Sequence, residues 1–164
     1  ESGIDSTYGE YIIRFYNVNN SVQEALQFQV NASGQSGYNE TMTTSFFRAF
    51  HNEPDSQTGL AVVGYHYDQG NGTAYQPIGQ GMLPATAYAN ISGELHIFNP
   101  SSTTYAKHFY GVTQTTDGYG APGPYAQFSH FSGYINVTAA ITNVSFKYGS
   151  GNITAGKFKM WGVL

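Results

Sequence analysis

The sequence predicts an all-β protein, an antiparallel β-sandwich of jelly-roll-like type with about nine or ten strands. Three observations predict this class. Apolar and polar residues alternate in several stretches, as in Leu26-Gln27-Phe28-Gln29-Val30, which is typical of a strand with one buried face. Turn-forming residues separate these stretches, and no crossover helices are indicated between them. Aromatic residues make up 16% of the chain and charged residues only 10%, which excludes a coiled coil, a helical bundle or a disordered chain.

Nine stretches are predicted as strands, and turn-forming segments such as Ala32-Ser33-Gly34 and Gly149-Ser150-Gly151-Asn152 lie between them. In chain order they are Tyr11–Tyr16, Leu26–Val30, Thr43–Phe50, Leu60–Tyr67, Asn90–Phe98, Thr104–Thr113, Ala126–Val137, Thr142–Tyr148 and Lys157–Val163. A short helix competes with the strand only at Thr41–Phe50, where the strand is favoured. The composition shows no break and the chain has no charged linker, so residues 1–164 are expected to form one domain.

The charge and cysteine content exclude several classes of function. The chain has no cysteine, which excludes disulfides, cysteine zinc sites and a thiolate nucleophile. A net charge of −4 with scattered lysines and arginines indicates no nucleic-acid partner, and no run of apolar residues is long enough to span a membrane. Lysine and glutamate usually keep exposed sheet edges apart, so a chain this poor in charge suits permanent protein neighbours. A secreted sandwich with polar, uncharged faces is the alternative interpretation.

Catalytic and metal-binding patterns are weak. Three groups of histidines and acids could each supply two metal ligands: His66 with Asp68, Glu94 with His96, and His51 with Glu53 and Asp55. None has three ligands at a recognisable spacing, so hydrogen bonding between strands is the favoured interpretation and no metal or cofactor is expected. The chain also lacks the motifs of common enzyme classes, and it is predicted not to be an enzyme. A polysaccharide hydrolase with a carboxylate pair remains the least favoured alternative.

The segment from Thr115 to Tyr125 is rich in glycine, proline and tyrosine and is too long for a tight hairpin. Long loops on a rigid sandwich often bind ligands, and tyrosine is a common contact residue. The loop is expected to face a glycan or another subunit, and the candidate contacts for a glycan are Tyr119, Tyr125, His130 and the single tryptophan, Trp161. A connection that packs its own tyrosines explains the same composition.

Two motifs carry a resemblance to a known family. They are GELHIFNPSSTTY at Gly93–Tyr105 and FKYGSGNITAGKFKMWGV at Phe146–Val163. Together they resemble the C-terminal-type β domain of tailed-bacteriophage virion proteins, especially those of marine and cyanobacterial phages, and Tyr11–Val18 is similar to the first strand of that domain. The chain departs from the family at Met160-Trp161, where Leu-Tyr is commoner, and in the loop Tyr119–Tyr125.

The resemblance implies a structural virion component, namely a tail fibre, an appendage or a capsid decoration, located in the extracellular particle. Its expected partners are other virion proteins, further copies of itself in a homo-oligomer such as a trimer, and a host-surface glycan. It supplies no catalytic residue, and a lectin-like module is the alternative. Within the motifs, Asn99 and Pro100 are expected to end a strand, while Gly149, Gly151 and Gly156 are expected to permit positive φ in a reversal before the last strand.

Overall fold

The computed structural model describes residues 3–64, 66–80, 89–117 and 124–164, and none of these residues is helical. No helix that could cross a membrane occurs in these ranges. Ten strands are present: β1 (Glu10–Asn20), β2 (Leu26–Ala32), β3 (Met42–Asn52), β4 (Thr58–Val62), β5 (Gln76–Pro77), β6 (Ile91–Phe98), β7 (Lys107–Asp117), β8 (Tyr125–Ile135), β9 (Ile141–Tyr148) and β10 (Ile153–Val163).

The strands form two antiparallel sheets. A seven-stranded sheet has the order β10-β1-β6-β7-β8-β3-β4, and a three-stranded sheet has the order β5-β2-β9. The predicted antiparallel β-sandwich is therefore confirmed. The segment 41–50, for which the sequence left a short helix as an alternative to a strand, lies almost entirely in β3.

Several strand predictions need correction. Strand β1 continues to Asn20, beyond the predicted end at Tyr16, and β10 begins at Ile153, before the predicted Lys157. Strand β7 continues to Asp117 and β8 begins at Tyr125, so both ends of the predicted loop Thr115–Tyr125 lie in strands.

The strand predicted at Leu60–Tyr67 is β4, which begins at Thr58 and ends at Val62. The strand predicted to begin at Thr104 begins at Lys107, because Ser102 Oγ accepts hydrogen bonds from the backbone N–H groups of Thr104 and Tyr105 and extends the turn. Strand β5 was not predicted, since two residues are too few to show a periodicity.

The core lies between the two sheets, and Phe28 of β2 lies near its centre. The Phe28 ring lies 5.1 Å from Phe109 in an edge-to-face arrangement, 6.1 Å from Phe131 and 6.4 Å from Phe146. The other largest fully buried apolar side chains are Phe15, Phe46, Ile13, Leu26, Met42, Ile78, Ile91 and Leu95. The alternation in Leu26–Val30 therefore placed Leu26, Phe28 and Val30 correctly in the core. The expectation that the other face of β2 is exposed is wrong at Gln29, which is fully buried because other segments cover it, with its Nε2 donating to the carbonyl of Glu40 at 2.9 Å.

The glycines of the last motif have three different roles. Gly151 lies in the turn before β10 with φ +73°, as predicted. Gly156, with φ +121°, lies inside β10 instead, opposite a β-bulge in β1, and a Cβ there would lie 2.7 Å from the Cα of Val18. Gly149 does not adopt a positive φ; a Cβ on this residue would lie 2.6 Å from Glu24 Oε2. The prediction of positive φ is thus wrong for Gly149. For Gly156 the positive φ is confirmed, but the residue lies inside β10 and not in the turn before it.

Asn99 and Pro100 end β6 after Phe98, as expected, and they also tie distant segments together. Asn99 adopts φ +43°, and its N–H donates to the carbonyl of Gly9 at 2.6 Å. The carbonyl of the buried Pro100 accepts a hydrogen bond at 2.8 Å from the N–H of Ile141, and Ile141 is the first residue of β9. The motif therefore has a structural role that connects the two sheets.

A buried tyrosine predicts alkaline sensitivity. Burial raises the pKa of Tyr148, whose hydroxyl donates to the carbonyl of Val18 at 3.4 Å. The unfolded chain ionises tyrosine near pH 10, so above that pH the folded state holds more protons and its stability falls as the pH rises. We expect Tyr148→Phe to reduce this loss by up to about 1.4 kcal/mol per pH unit, measured by urea unfolding between about pH 8 and 11.

Part of the pH dependence should remain in the variant, because burial also raises the pKa of Tyr11. The matched control is Tyr105→Phe, since this ring is 70% exposed, and it should reproduce the wild-type pH profile. Identical profiles for Tyr148→Phe and the wild type would contradict the assignment.

Candidate functional site

The seven-stranded sheet has one face on the core and another directed to solvent, which we call the outer face. The registers of the strands place aromatic and aliphatic side chains over much of this face, with polar and charged residues among them and Lys157 and Lys159 at its β10 edge. From one edge to the other they include Trp161 on β10; Ile12, Arg14 and Tyr16 on β1; Glu94, His96 and Phe98 on β6; Tyr110, Val112 and Gln114 on β7; Phe128, His130 and Tyr134 on β8; Phe47 and Ala49 on β3; and Leu60 and Val62 on β4.

A row of stacked rings crosses the centre of the outer face. His96 and Tyr110 are stacked with centroids 4.5 Å apart, and Tyr110 lies 6.3 Å from His130 with an interplanar angle of 11°. His130 is stacked on Phe47 at 5.0 Å. The row joins β6, β7, β8 and β3 through contacts between side chains of neighbouring strands, which stabilise the sheet.

The outer face becomes most apolar toward β4. Leu60 and Val62 are each 75% exposed, Phe47 is 37% exposed, and Phe128 on β8 is 42% exposed. These four side chains come from three neighbouring strands, so they form one patch. Contiguous apolar surface of this kind is typical of an interaction site, whereas single exposed apolar residues are ordinary.

Ionisable side chains in the middle of the outer face contact one another. His96 Nδ1 lies 2.5 Å from Glu10 Oε1, and His96 Nε2 lies 3.2 Å from Glu94 Oε1. The Nε of Arg14 donates to Glu94 Oε2 at 2.9 Å. Burial alone would raise the pKa of Glu94, but the hydrogen bonds and charges of His96 and Arg14 outweigh it and lower that pKa. Glu94 and His96 share a face of β6, as predicted, and each is bonded to a residue of β1, Glu94 to Arg14 and His96 to Glu10.

The other candidate metal pairs are engaged separately. His51 Nε2 lies 2.8 Å from Asp55 Oδ1 near the β3–β4 turn. The Asp68 carboxylate accepts a hydrogen bond from the N–H of Phe46 at 2.5 Å. Among the residues that the structure describes, no three histidines or acids come together as a metal site would require.

The structure does not bring the predicted glycan contacts together. His130 and Trp161 share the outer face, but β8 and β10 are four strand spacings apart, about 19 Å. Arg14 lies over the Trp161 ring, with its guanidinium carbon 5.6 Å from the ring centroid. Tyr125 lies on the opposite face of the sheet, where its hydroxyl donates to Gln57 Oε1 at 2.5 Å. Tyr119 lies outside the described residues.

A shallow groove on the outer face was not predicted. It has a volume of about 340 Å³ and lies over Gly93, where β1, β6 and β7 pass beside Phe128 of β8. Its polar lining includes Arg14, Glu94 and Gln114. The surface of the groove itself is almost entirely apolar, and Arg14 and Glu94 at its border are hydrogen-bonded to each other. The groove therefore suits packing of an apolar or aromatic-facing ring, such as one face of a sugar, beside Phe128.

The signal for the outer face was present in the sequence as adjacent aromatic residues. A strand with a solvated polar face should alternate strictly, yet Phe46-Phe47 and Phe109-Tyr110 place rings on both faces of their strands. Two-sided strands of this kind indicate a sheet that packs on both faces. The described residues cover only one of those faces.

Comparisons of the chain with family models, with curated proteins and with solved structures find no match. The function is therefore argued from the outer face and its groove.

Proposed function

We propose that this protein is a structural component of a tailed-bacteriophage virion, a tail fibre, appendage or capsid decoration, that acts by assembly with copies of itself and with other virion proteins. The observation that carries the proposal is the aromatic outer face of the seven-stranded sheet. The sequence resemblance supports the virion context, and the face supports the mode of action.

The energetic argument concerns water at the apolar part of this face. Burying apolar surface against a neighbour releases about 25 cal/mol for each Å². Leu60, Val62 and Phe128 are accordingly better placed in an interface than in water, and the stacked row beside them needs little reordering on contact. The acids in the middle of the face are already paired with His96 and Arg14, which reduces the electrostatic cost of covering them.

A charge placed on this face should weaken self-association. We expect the wild-type protein to self-associate in sedimentation velocity up to about 100 µM, and Phe128→Glu to weaken that association about tenfold or more. Phe128 lies on β8 in the outer face and is 42% exposed, so the substitution leaves the core intact.

Tyr105→Glu is the matched control, because Tyr105 lies in the turn before β7 and is 70% exposed. It should associate like the wild type. A protein that stays monomeric at the highest concentration, or association that does not respond to Phe128→Glu, would contradict assembly through this face.

The groove beside Phe128 favours one alternative, a lectin-like module that binds a host-surface glycan. Its aromatic ring offers a surface on which one face of a sugar can pack, and Gln114 lies at its border. The same variant separates the two functions. Glycan-array binding that Phe128→Glu abolishes, with no self-association in the wild type, would replace assembly by glycan recognition.

A further inference from the structure

The free edges of the two sheets differ in how they are protected. In the part of the chain that the structure describes, these edges are β10 and β4 in the large sheet and β5 and β9 in the small one. Strand β10 carries Lys157 and Lys159, β9 carries Lys147, and β5 is two residues long and includes Pro77. Lysine, proline and shortness are the usual devices that prevent another strand from pairing with an edge. Strand β4, with the sequence Thr-Gly-Leu-Ala-Val, has no proline and no charge.

The backbone of β4 presents its polar groups to this free edge. The N–H of Asn52 donates to the carbonyl of Gln57, and the N–H of Val63 donates to the carbonyl of Phe46. In an antiparallel pair, hydrogen-bonded positions alternate along each strand, so Gly59 and Ala61 also face β3. The N–H and carbonyl groups of Thr58, Leu60 and Val62 consequently point away from the sheet.

We propose that β4 pairs antiparallel with β4 of a second copy of this chain, about a two-fold axis at Leu60. This inference rests on the proposed function, since it names one contact of the assembly. Leu60 then lies opposite Leu60 of the other copy, and Thr58 lies opposite Val62. Each of these pairs exchanges two backbone hydrogen bonds, and the two seven-stranded sheets become one continuous sheet.

A second copy fits this edge because the strand is complementary to itself. No charged side chain of β4 meets its counterpart, and Leu60 and Val62 from both copies lie together on the outer face. The acidic β3–β4 turns, with Glu53 and Asp55, come to opposite ends of the new pair, roughly 30 Å apart. The same operation at β10 would bring Lys157 and Lys159 against those of the other copy.

The expected affinity is modest. Pairing of five residues on each side buries less than the 1,200 Å² or so of a standard interface, so we expect a dissociation constant in the micromolar range. An assembled particle would strengthen the contact by holding copies close to one another.

Single cysteines test both the contact and its register, because the natural chain has none. In the proposed pair the Cα atoms at position 60 lie about 5.5 Å apart, within disulfide range, while the two copies of position 62 are about 13 Å apart along the strands. At about 50 µM under mild oxidation we expect Leu60→Cys to form covalent dimers at least five times faster than Val62→Cys. Leu60 and Val62 are both 75% exposed, so random collisions would cross-link them equally.

Equal cross-linking of Leu60→Cys and Val62→Cys would overturn the proposal. As a second measurement, Leu60→Lys should abolish the non-covalent dimer, and an unchanged dimer would also overturn it. The result for Phe128→Glu shows whether only the β4 pairing fails or the proposed assembly function fails as well. If association responds to Phe128→Glu but not to the substitutions at Leu60, only the β4 pairing is overturned. If the protein is monomeric in every experiment, both the β4 pairing and the proposed assembly function are overturned.

Discussion

Replacing Phe28 by alanine should lower the free energy of unfolding by about 4 kcal/mol. The ring is fully buried between the sheets, and phenylalanines from β7, β8 and β9 surround it at centroid distances of 5.1 to 6.4 Å. Alanine removes these contacts and leaves a cavity that two hydrogen-bonded sheets cannot close. For a domain of this size the midpoint of thermal unfolding should fall by roughly 8–16 °C, which differential scanning calorimetry would measure.

Two further variants show whether the cavity causes the loss. Phe28→Leu keeps most of the volume and should cost less than half as much. Phe128→Ala removes the same ring from the outer face, where it is partly exposed, and should cost less than about 1 kcal/mol. Similar losses for Phe28→Ala and Phe128→Ala would mean that Phe28 does not lie in a packed core.

The alternation of Leu26–Val30 predicted which side chains of β2 enter the core, because successive side chains of a strand point to opposite faces. It did not predict that Gln29 on the other face is also fully buried, since that depends on segments distant in the chain, such as the one that contains Glu40. The end of β4 was harder to predict. The apolar residues continue from Leu60 to Val63, but hydrophobicity does not show where the backbone leaves its neighbour. Strand ends depend on hydrogen bonds to residues distant in the chain, such as the one that the N–H of Val63, just after β4, donates to the carbonyl of Phe46.

The candidate site depends even more on long-range order. His130 and Trp161 lie on the same face of the large sheet. This follows from the registers in which β8, β10 and the three strands between them pair, and the sequence around neither residue contains that information. The stacking of His96 on Tyr110 likewise requires β6 and β7 to be neighbours. Adjacent aromatic residues such as Phe46-Phe47 could have indicated a two-sided sheet, although they could not have shown which strand each ring meets.

Lys107 is the residue whose environment differs most from what its type suggests. A lysine at the first position of a strand is usually solvated, yet Lys107 is completely buried. Its ammonium group donates to the carbonyls of Val137, Thr138 and Ala139 at 2.7–3.0 Å. These carbonyls belong to the segment between β8 and β9, where the chain passes from the large sheet to the small one. Burial lowers the pKa of Lys107, and the three acceptors favour its charged form.

We expect Lys107→Met to lower the free energy of unfolding by about 3 kcal/mol, because it leaves three inward-facing carbonyls without a donor. Methionine fills a similar volume, so the loss reports on hydrogen bonding more than on packing. Lys159→Met is the matched control, since Lys159 lies exposed on the edge strand β10, and it should change the stability by less than about 0.5 kcal/mol. Urea unfolding of the two variants beside the wild type makes the comparison.

A local measurement separates the role of the ammonium group from a general loss of stability. The N–H of Ser33 donates to the carbonyl of Ala140 at 2.7 Å, and the N–H of Ile141 donates to Pro100 at 2.8 Å. Both bonds join the crossover segment to neighbouring elements. If Lys107 holds this segment, these two amides should exchange with solvent faster in Lys107→Met while amides in the centre of β7 keep their relative protection. Unchanged stability would instead show that other groups satisfy the three carbonyls. Uniformly faster exchange would assign the loss to the whole sandwich, so that the lysine would not act as a specific link between its sheets.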